Sequence, residues 1–425
     1  MSDIFFGIDF GTTNSALAVN SQGVVRVLPV DHDRNGSPLH VLRSVLFLEN
    51  QGKVFAGWQA LECYQEDSTA GRFIRSIKSL LRMRTVSQTE IRGKKYELSD
   101  LIAFILRKLK QIGEEHCGTT VHELVLGRPV IFSEDRSLDQ LAESRLYEAA
   151  EKAGFVTIRF QPEPIAAALA FESSLSPTDE RIVLIGDFGG GTSDFTIIRL
   201  SGKYLNTNRD RGRDILGLGG VYVGGDTFDS TLMWEIVSPH LGRDVEINLQ
   251  SGGTTRIPNH IMENVRYWHF LMRLRDPAIK AYLRQIQQKC SDPQAIQNLL
   301  DLIKSDRAFE LFQELERTKC ALSEHPVSPL YFENESLRIK QNVGRPFFDS
   351  ISQPTYEAIE KCVDETLTTA GLSTSQVNLV FLTGGTSLIP HVQRIFERRF
   401  GTNKMRSGDA FTSVVHGLGA SGYLF

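Results

Sequence analysis

Net charge is nearly absent from this sequence: 47 Lys and Arg stand against 51 Asp and Glu, leaving −4 at pH 7 over 425 residues. Without an excess of base there is no global attraction to nucleic acid or acidic lipid, which argues against a dedicated polyanion binder. Cysteine is scarce too, with five residues at 63, 117, 290, 320 and 362 and neither a C-x-x-C nor a Cys/His pair at metal-ligand spacing. That pattern fits neither a secreted disulfide scaffold nor a zinc module, and a reducing cytoplasm is the expected home. No apolar run approaches the ~18 residues of a membrane span. The start, Met1-Ser2-Asp3-Ile4, puts acid where a signal peptide needs base, so neither membrane association nor export is expected and the sequons at Asn35 and Asn334 carry no meaning. Also missing is any G-x-x-x-x-G-K-[ST] loop, which removes the P-loop enzymes.

What is present is a globular composition, 41% hydrophobic, with 35 glycines. At roughly 100–200 residues per domain, the length allows two to four domains. Many glycines gather at 7–13, 186–191, 217–225, 384–385 and 417–422, each cluster close to Asp or Thr. Two clusters read as copies of one unit, because FFGIDFGTTNSAL over 5–17 and VLIGDFGGGTSDF over 183–195 superpose when Asp9 is set on Asp187. Each copy runs from an apolar stretch through a Gly/Thr turn into a second apolar stretch, the pattern of strand, tight turn and strand. Their separation is far outside the roughly 20–50 residues of solenoid repeats, so the copies imply a duplicated domain.

Between the copies, Leu98, Leu101, Ile102, Ile105, Leu106, Leu109 and Ile112 mark one helical face, with Ser99 as the expected N-cap. A second helix is expected from about Leu138 to Ala153 with Gly154 at C′. Glu123 to Ile131 reads as a strand, and Pro162 to Phe171 as a turn opening an Ala-rich helix. This alternation predicts an α/β architecture with ligand at the strand ends. From about Asn264 to Ser323 the chain becomes long-helical, broken at Pro277 and Pro293; Val377 to Phe425 returns to strand, Gly-Gly, helix and a Gly-rich end.

Both copied turns carry the groups that a polyphosphate with a divalent cation requires: closely approachable backbone N–H groups, hydroxyls and carboxylates. Asp9 precedes Gly11, Thr12 and Thr13; Asp187 precedes Gly189, Gly190, Gly191 and Thr192, with Asp194 just beyond. Glycine permits positive φ and close approach, and Thr hydroxyls donate to phosphate oxygens. Two such hairpins facing each other would clamp a Mg–nucleotide from both sides. The G-x-G-x-x-G match at 417–422 has only three residues after it, so it reads as close helix packing rather than dinucleotide binding.

IDFGTTNS at 8–15, GRPVIF at 127–132, PEPIAAALAF at 162–171, DFGGGTSDF at 187–195, GGDTFD at 224–229, ERTKCALS at 316–323 and LTGGTSLIP at 382–390 follow one another in a specific order. In that order the chain resembles the ATPase domain of DnaK-type, seventy-kilodalton heat-shock chaperones, and its insert with WHFLMRLRDP looks closest to the short YegD-like branch. The resemblance implies an α/β, actin-like ATPase fold: two duplicated lobes, ribonuclease H-like sheets with flanking helices, around a nucleotide cleft. It places the lobes at 1–178 and 179–425, with a helical insert at about 240–323. It implies ATP or ADP with Mg2+ as ligands, Asp9 and Asp187 holding waters of the metal, and Thr12, Thr13 and Thr192 contacting phosphate. Lys78 then corresponds to the lysine that reaches the terminal phosphate and positions water, while Glu163 and Asp194 are acids of the same network. Gly224, Gly225 and Asp226 correspond to a further nucleotide-binding turn. Glu316, Lys319 and Ser323, at i, i+3 and i+7 of one helical face, correspond to the adenosine pocket, opposite Gly384 and Gly385.

Taken without the resemblance, Lys78 is one charge in a solvated basic stretch with Arg72, Arg75, Arg82 and Arg84, and Glu316 with Lys319 is a weak surface pair. One departure is Leu388, where the family has an arginine stacked on the purine. Pro129 corresponds to a proline that couples the site to lobe motion. The expected function is ATP binding with slow hydrolysis, nucleotide state setting lobe closure. A small-molecule kinase acting on sugars or carboxylates, or a non-enzymatic actin-like scaffold, are the alternatives. The chain ends at Gly422-Tyr423-Leu424-Phe425. No peptide-binding domain is therefore expected, and an unidentified protein partner would dock on the lobes themselves, for instance near Trp268, Phe270, Leu271 and Met272, a cluster that reads first as core.

Overall fold

The computed structural model describes residues 4–33, 36–67, 70–84, 88–91, 93–133, 135–172, 175–204, 211–305, 307–407 and 413–421. Two five-strand arrangements share one plan. In the first, β1 (Ile4–Phe10), β2 (Asn14–Ser21) and β3 (Val24–Val27) are antiparallel neighbours, and β4 (Glu123–Arg128) and β5 (Thr157–Pro162) continue parallel to β1 on its other side. In the second, β6 (Glu180–Phe188), β7 (Ser193–Ser201) and β8 (Ile215–Val221) repeat the antiparallel set, and β9 (Leu379–Thr383) and β10 (Met405–Ser407) continue parallel to β6. The first sheet also takes in Leu42–Arg43 against β2.

Helices recur at matching places. α1 (Leu98–Cys117) precedes β4, α2 (Arg136–Lys152) joins β4 to β5, and α3 (Glu163–Glu172) follows β5. Further on, α4 (Gly225–Leu232) and α5 (Ala308–Glu324) belong to the long second crossover; α6 (Gln353–Thr369) precedes β9, α7 (Pro390–Phe400) joins β9 to β10, and α8 (Ser413–Ala420) follows β10. The result is a mixed α/β fold of sheets flanked by helices.

Strand period explains the burial on both faces of β1. Phe6, Ile8 and Phe10 enter a core with Ile102, Ile105, Leu109 and Leu146, on the α1 and α2 side. Phe5 points the other way, with Val125, Ala166 and Leu418. The two last helices exchange places: Ile165 and Ala168 of α3 pack with Val183, Ile185 and Ile198 of the second sheet, and Val415 of α8 packs with Ala16 and Ala18 of the first. Their approach is close because of glycine. A Cβ on Gly417 would meet the Ala166 carbonyl oxygen at 1.8 Å, and one on Gly7 would meet Gly419 N at 2.5 Å. Close packing is thus what Gly417 and Gly419 do; Gly422 lies outside the described residues.

Some boundaries differ from expectation. The strand expected over 123–131 stops at Arg128, because Pro129 has no N–H to continue the ladder. Ser99 is not the cap of α1. The helix begins at Leu98, directly after the strand Lys94–Glu97, and Asp100 accepts from the Glu97 N–H at 2.8 Å. Ser99 is buried and its hydroxyl receives Lys152 Nζ at 2.9 Å. α2 ends as expected, with Gly154 at φ +93° after the Ala153 cap. Pro277 and Pro293 open the helices Pro277–Gln287 and Pro293–Lys304, each behind an Asp N-cap. The stretch 240–323 is not wholly helical, since Glu246–Asn248 pairs with Thr254–Arg256 in a hairpin. Within it Leu271 is buried and Phe270 half-buried, while the side chains of Trp268 and Met272 lie outside the described residues. No helix among the described residues is long and apolar enough to cross a membrane.

Candidate functional site

The duplication brings two carboxylates to equivalent strand ends. Asp9 is the next-to-last residue of β1 and Asp187 that of β6. Around them the chain gathers Lys78 and Glu163, which meet at 2.8 Å with side chains only 13% and 9% exposed. Lys78 is carried by the 3₁₀ turn Ile77–Leu80, which begins behind Ser76 at φ +54°. A non-glycine residue in the left-handed region is uncommon and costs backbone energy, so the turn that aims Lys78 inward is held by its surroundings. Glu163 opens α3, and Gly127 makes room for it: a Cβ there would lie 3.3 Å from Glu163 Cγ.

Desolvation and like charge act together on these acids. Burial, then Glu163, pushes Asp9 up to about 7, against the pull of Lys78. Burial and Glu163 raise Asp187 as well, opposed by a 2.9 Å hydrogen bond from the Thr383 hydroxyl. Asp194 has an exposed side chain, but the elements crowded around it strip part of its hydration, and this, followed by Asp187, pushes it up to about 7. Asp187 and Asp194 are directly opposite in the β6/β7 register, where like charges destabilise a sheet. Thr192 relieves part of this by donating to Asp194 at 3.0 Å. For Lys78, burial alone would depress the ammonium, but Glu163 and Asp9 outweigh it and hold the group above its ordinary value.

The two turns touch. A Cβ on Gly190 would stand 2.0 Å from Thr13 Oγ1, and one on Gly11 would stand 2.1 Å from Asn14 O. Neither these glycines nor Gly189, Gly191, Gly224 and Gly225 have positive φ, so the expected left-handed backbone is absent and close approach is the physical reason for glycine at 11, 190 and 224. Gly191 is different: nothing lies within 4 Å of its missing Cβ. Behind the second turn, Gly225 N donates to Gly189 O at 3.1 Å and Asp226 N to Gly190 O at 2.7 Å, so the first turn of α4 braces the loop. Thr12 is half-buried beside Thr13, whose carbonyl accepts from Ser44 N at 2.8 Å.

Glu316, Lys319 and Ser323 share one side of α5, but the first two do not form a surface pair with each other. Lys319 Nζ reaches Asp229 at 2.9 Å and Gly225 O at 3.1 Å. Burial alone would discharge it; Asp229 and Glu316 hold it well above its ordinary pKa. Glu316 receives Arg43 of the first half at 3.2 Å; burial raises its carboxyl, but Arg43 and Lys319 outweigh that and leave it below the usual range. Ser323 is half-buried, its carbonyl accepting from Arg345 at 3.3 Å. The positions where a Cβ of Gly225 would point lie 3.4 Å from both Lys319 Nζ and Thr386 Oγ1, which joins α5 to the Gly384–Gly385 turn. Gly384 has φ +82° and its Cβ would strike Phe188 O at 2.1 Å, so only glycine fits. Leu388 follows, 45% exposed.

Arg43, Arg75, Asp229 and Thr383 were not among the expected site residues. Asp229 closes the GGDTFD stretch and Thr383 lies in LTGGTSLIP, so both were within reach of a motif; Arg43 and Arg75 carry no local signal. The solvated reading of the basic stretch holds for Arg72 and Arg84, which are exposed, and fails for Arg75, which is partly buried and pairs with Asp226 of α4 at 3.6 Å. Arg82 also leaves the solvated face, its guanidinium 4.7 Å from the Tyr222 ring centre. A surface hollow of about 400 Å³ lined by Glu357, Glu360, Asp364, Glu365 and Arg399 shares no residue with this site.

The chain is 28% identical over 415 residues to the chaperone protein DnaK of Thermotoga maritima, covering 97% of this chain and 58% of that protein. It is 26% identical over 412 residues to the chaperone protein DnaK of Thermosipho africanus, covering 97% and 57%. The chain therefore spans less than three-fifths of the length of these curated relatives. Residues 56–265 and 282–420 match the family described as Hsp70 protein. By that match over most of its length, the chain belongs to the Hsp70 family.

Proposed function

We propose that the chain binds ATP and ADP with Mg2+ between the two hairpins and hydrolyses ATP slowly, as a DnaK-related protein of the YegD-like branch. The reading rests on one observation above all: Asp9, Glu163, Asp187 and Asp194 crowd around a single ammonium, Lys78, at the place where two glycine turns meet. Asp9, Asp187 and Asp194, raised by lost hydration and by neighbouring carboxylates, form with Glu163 a donor set that a divalent cation suits. Among the described residues no group of three or more His, Cys, Asp or Glu stands close enough to bind an ion directly, which supports contact through water for Asp9 and Asp187. The ion would neutralise phosphate charge.

The side chains then divide the work. Lys78, oriented by Glu163, faces the terminal phosphate and aligns a water for attack on phosphorus, the bond to the ADP oxygen breaking. Thr12, Thr13 and Thr192, the last by giving up its bond to Asp194, donate to phosphate oxygens, as do N–H groups of Gly11, Gly190 and the open Gly191, while Gly189, whose N–H donates to Thr192 O at 2.9 Å, shapes the turn. Gly224, Gly225 and Asp226 support that turn. Glu316, Lys319 and Ser323 take the adenosine against Gly384 and Gly385. Residues 1–178 and 179–425 act as two lobes whose closure follows nucleotide state, with Pro129 at the coupling point. The cytoplasm is the proposed home, supported by five cysteines of which none is in a disulfide. The test is phosphate release with Mg2+ and ATP alone, repeated with Lys78→Ala and Asp187→Asn; turnover unchanged in both variants sinks the reading.

A further inference from the structure

Four cations come from elements that surround the meeting point of the turns, and three of them donate to an acid at hydrogen-bond distance: Lys78 to Glu163 at 2.8 Å, Lys319 to Asp229 at 2.9 Å and Arg43 to Glu316 at 3.2 Å. Arg75 differs in its acidic contact. It ends the strand Gly71–Arg75, opposite Val45 in register, and stands three residues before Lys78 with the left-handed Ser76 between them. Lys78 faces Glu163, Asp9 and Asp187, whereas Arg75 faces Asp226, Asp229 and Glu316. The partner of Arg75 is Asp226, at 3.6 Å and outside hydrogen-bond range. Asp226 itself is tied to the second glycine turn: its N–H donates to Gly190 O, and its Oδ1 lies 3.5 Å from the position of a Gly190 Cβ, the position that Thr13 Oγ1 approaches to 2.0 Å. The Arg75 guanidinium therefore stands beside the point where Thr13 and Gly190 come together.

We propose that Arg75 is a phosphate-binding residue of this site, exchanging Asp226 for an oxygen of the bound nucleoside polyphosphate; the proposal rests on the nucleotide reading above and adds a residue to it. The contact with Asp226 is electrostatic, so turning the guanidinium toward a phosphate breaks no hydrogen bond to that carboxylate. The gain is larger than for a surface charge, because the guanidinium has already lost part of its hydration and its planar fork matches phosphate oxygens. It also meets a charge requirement. A polyphosphate entering beside Asp9, Glu163, Asp187 and Asp194 needs more positive charge than Lys78, which Glu163 already engages. Asp226 acts as the competitor that occupies Arg75 when no polyphosphate is bound.

Calorimetric binding of ATP and of AMP, each with excess Mg2+, to the wild-type chain and to Arg75→Ala, Arg75→Lys and Asp226→Asn tests this, with thermal unfolding as a check on folding. Arg75→Ala is expected to weaken ATP roughly tenfold or more, the scale of a lost charge-assisted hydrogen bond, and to leave AMP unchanged. Arg75→Lys recovers part of the loss. Asp226→Asn tightens ATP in the wild-type background and has no effect on top of Arg75→Ala. Equal weakening of ATP and AMP marks a structural role and overturns the proposal, as does Arg75→Ala binding ATP like wild type. If Arg75→Ala does not fold, Asp226→Asn decides: tighter ATP supports the proposal, unchanged ATP overturns it. A wild-type chain that binds neither nucleotide overturns the nucleotide reading and the Arg75 assignment together, whereas wild-type binding that Arg75→Ala matches removes the assignment alone.

Discussion

No methyl group fits between Gly417 and Ala166, since a Cβ on Gly417 would lie 1.8 Å from the Ala166 carbonyl oxygen. The atom it meets is backbone, so relief requires α3 and α8 to move apart, and with them the two sheets that these exchanged helices cover. Gly417→Ala should therefore lower unfolding free energy by roughly 1–3 kcal/mol, the range for overpacking. Gly191→Ala is the control, because the space around it is open. Its stability should stay within about 0.5 kcal/mol of wild type. Urea unfolding of both variants measures the contrast, and equal loss in the two would contradict this account of the helix crossing.

The Lys319–Asp229 pair gives a second prediction. Its side chains are 12% and 14% exposed, so removing the ammonium leaves a carboxylate with little water to replace it. Lys319→Met should cost about 3–5 kcal/mol. Adding Asp229→Asn removes the stranded charge and should return much of that loss, a coupling that a double-mutant cycle reads directly. Additive effects in the cycle would mean that the pair is not the source of the cost.

The strand copies and their turns were legible because β-structure and glycine packing leave local marks: period-two apolar runs, and glycines wherever backbone approaches backbone. Lys78 and Asp9 were legible through ordered motifs. The cross-chain cations were not. Arg43 reaches Glu316 and Arg75 reaches Asp226 only after α4 and α5 have been placed against the first half, and nothing within ten residues of either arginine records that distant acid. Ser99 misled for a local reason. With Ser99 as cap the helix would start at Asp100, but the strand that feeds α1 ends at Glu97, which takes the cap position and puts the start two residues earlier, at Leu98.

Acids raised in the folded state make stability fall as pH rises. Asp194 titrates near 7 when folded and near 3.8 when unfolded, so the folded chain holds the proton between those values and its stability declines across that window. Asp194→Asn, measured without nucleotide or metal, should gain on wild type from pH 5 to pH 8. A divalent cation competes with the proton for the same charge. Mg2+ should accordingly raise the melting temperature of wild type more at pH 8 than at pH 5, and a shift independent of pH would count against a cation at these acids.

Leu388 offers the sharpest test of the adenosine side. It closes the Gly385–Leu388 turn and is 45% exposed, so a longer side chain can be built there without entering the core. Where the family resemblance places an arginine over the purine, an aliphatic side chain supplies dispersion and shielding from water but no attraction between a cation and the ring face. At an exposed site that attraction is worth about 0.5–1 kcal/mol, so Leu388→Arg should tighten ATP roughly two- to fivefold. The gain should fall when tripolyphosphate replaces ATP, because without a base the new guanidinium has no ring to cover. Were Leu388→Arg to tighten tripolyphosphate as much as ATP, the arginine would be acting as one more positive charge near the phosphates, and the base would have to lie elsewhere.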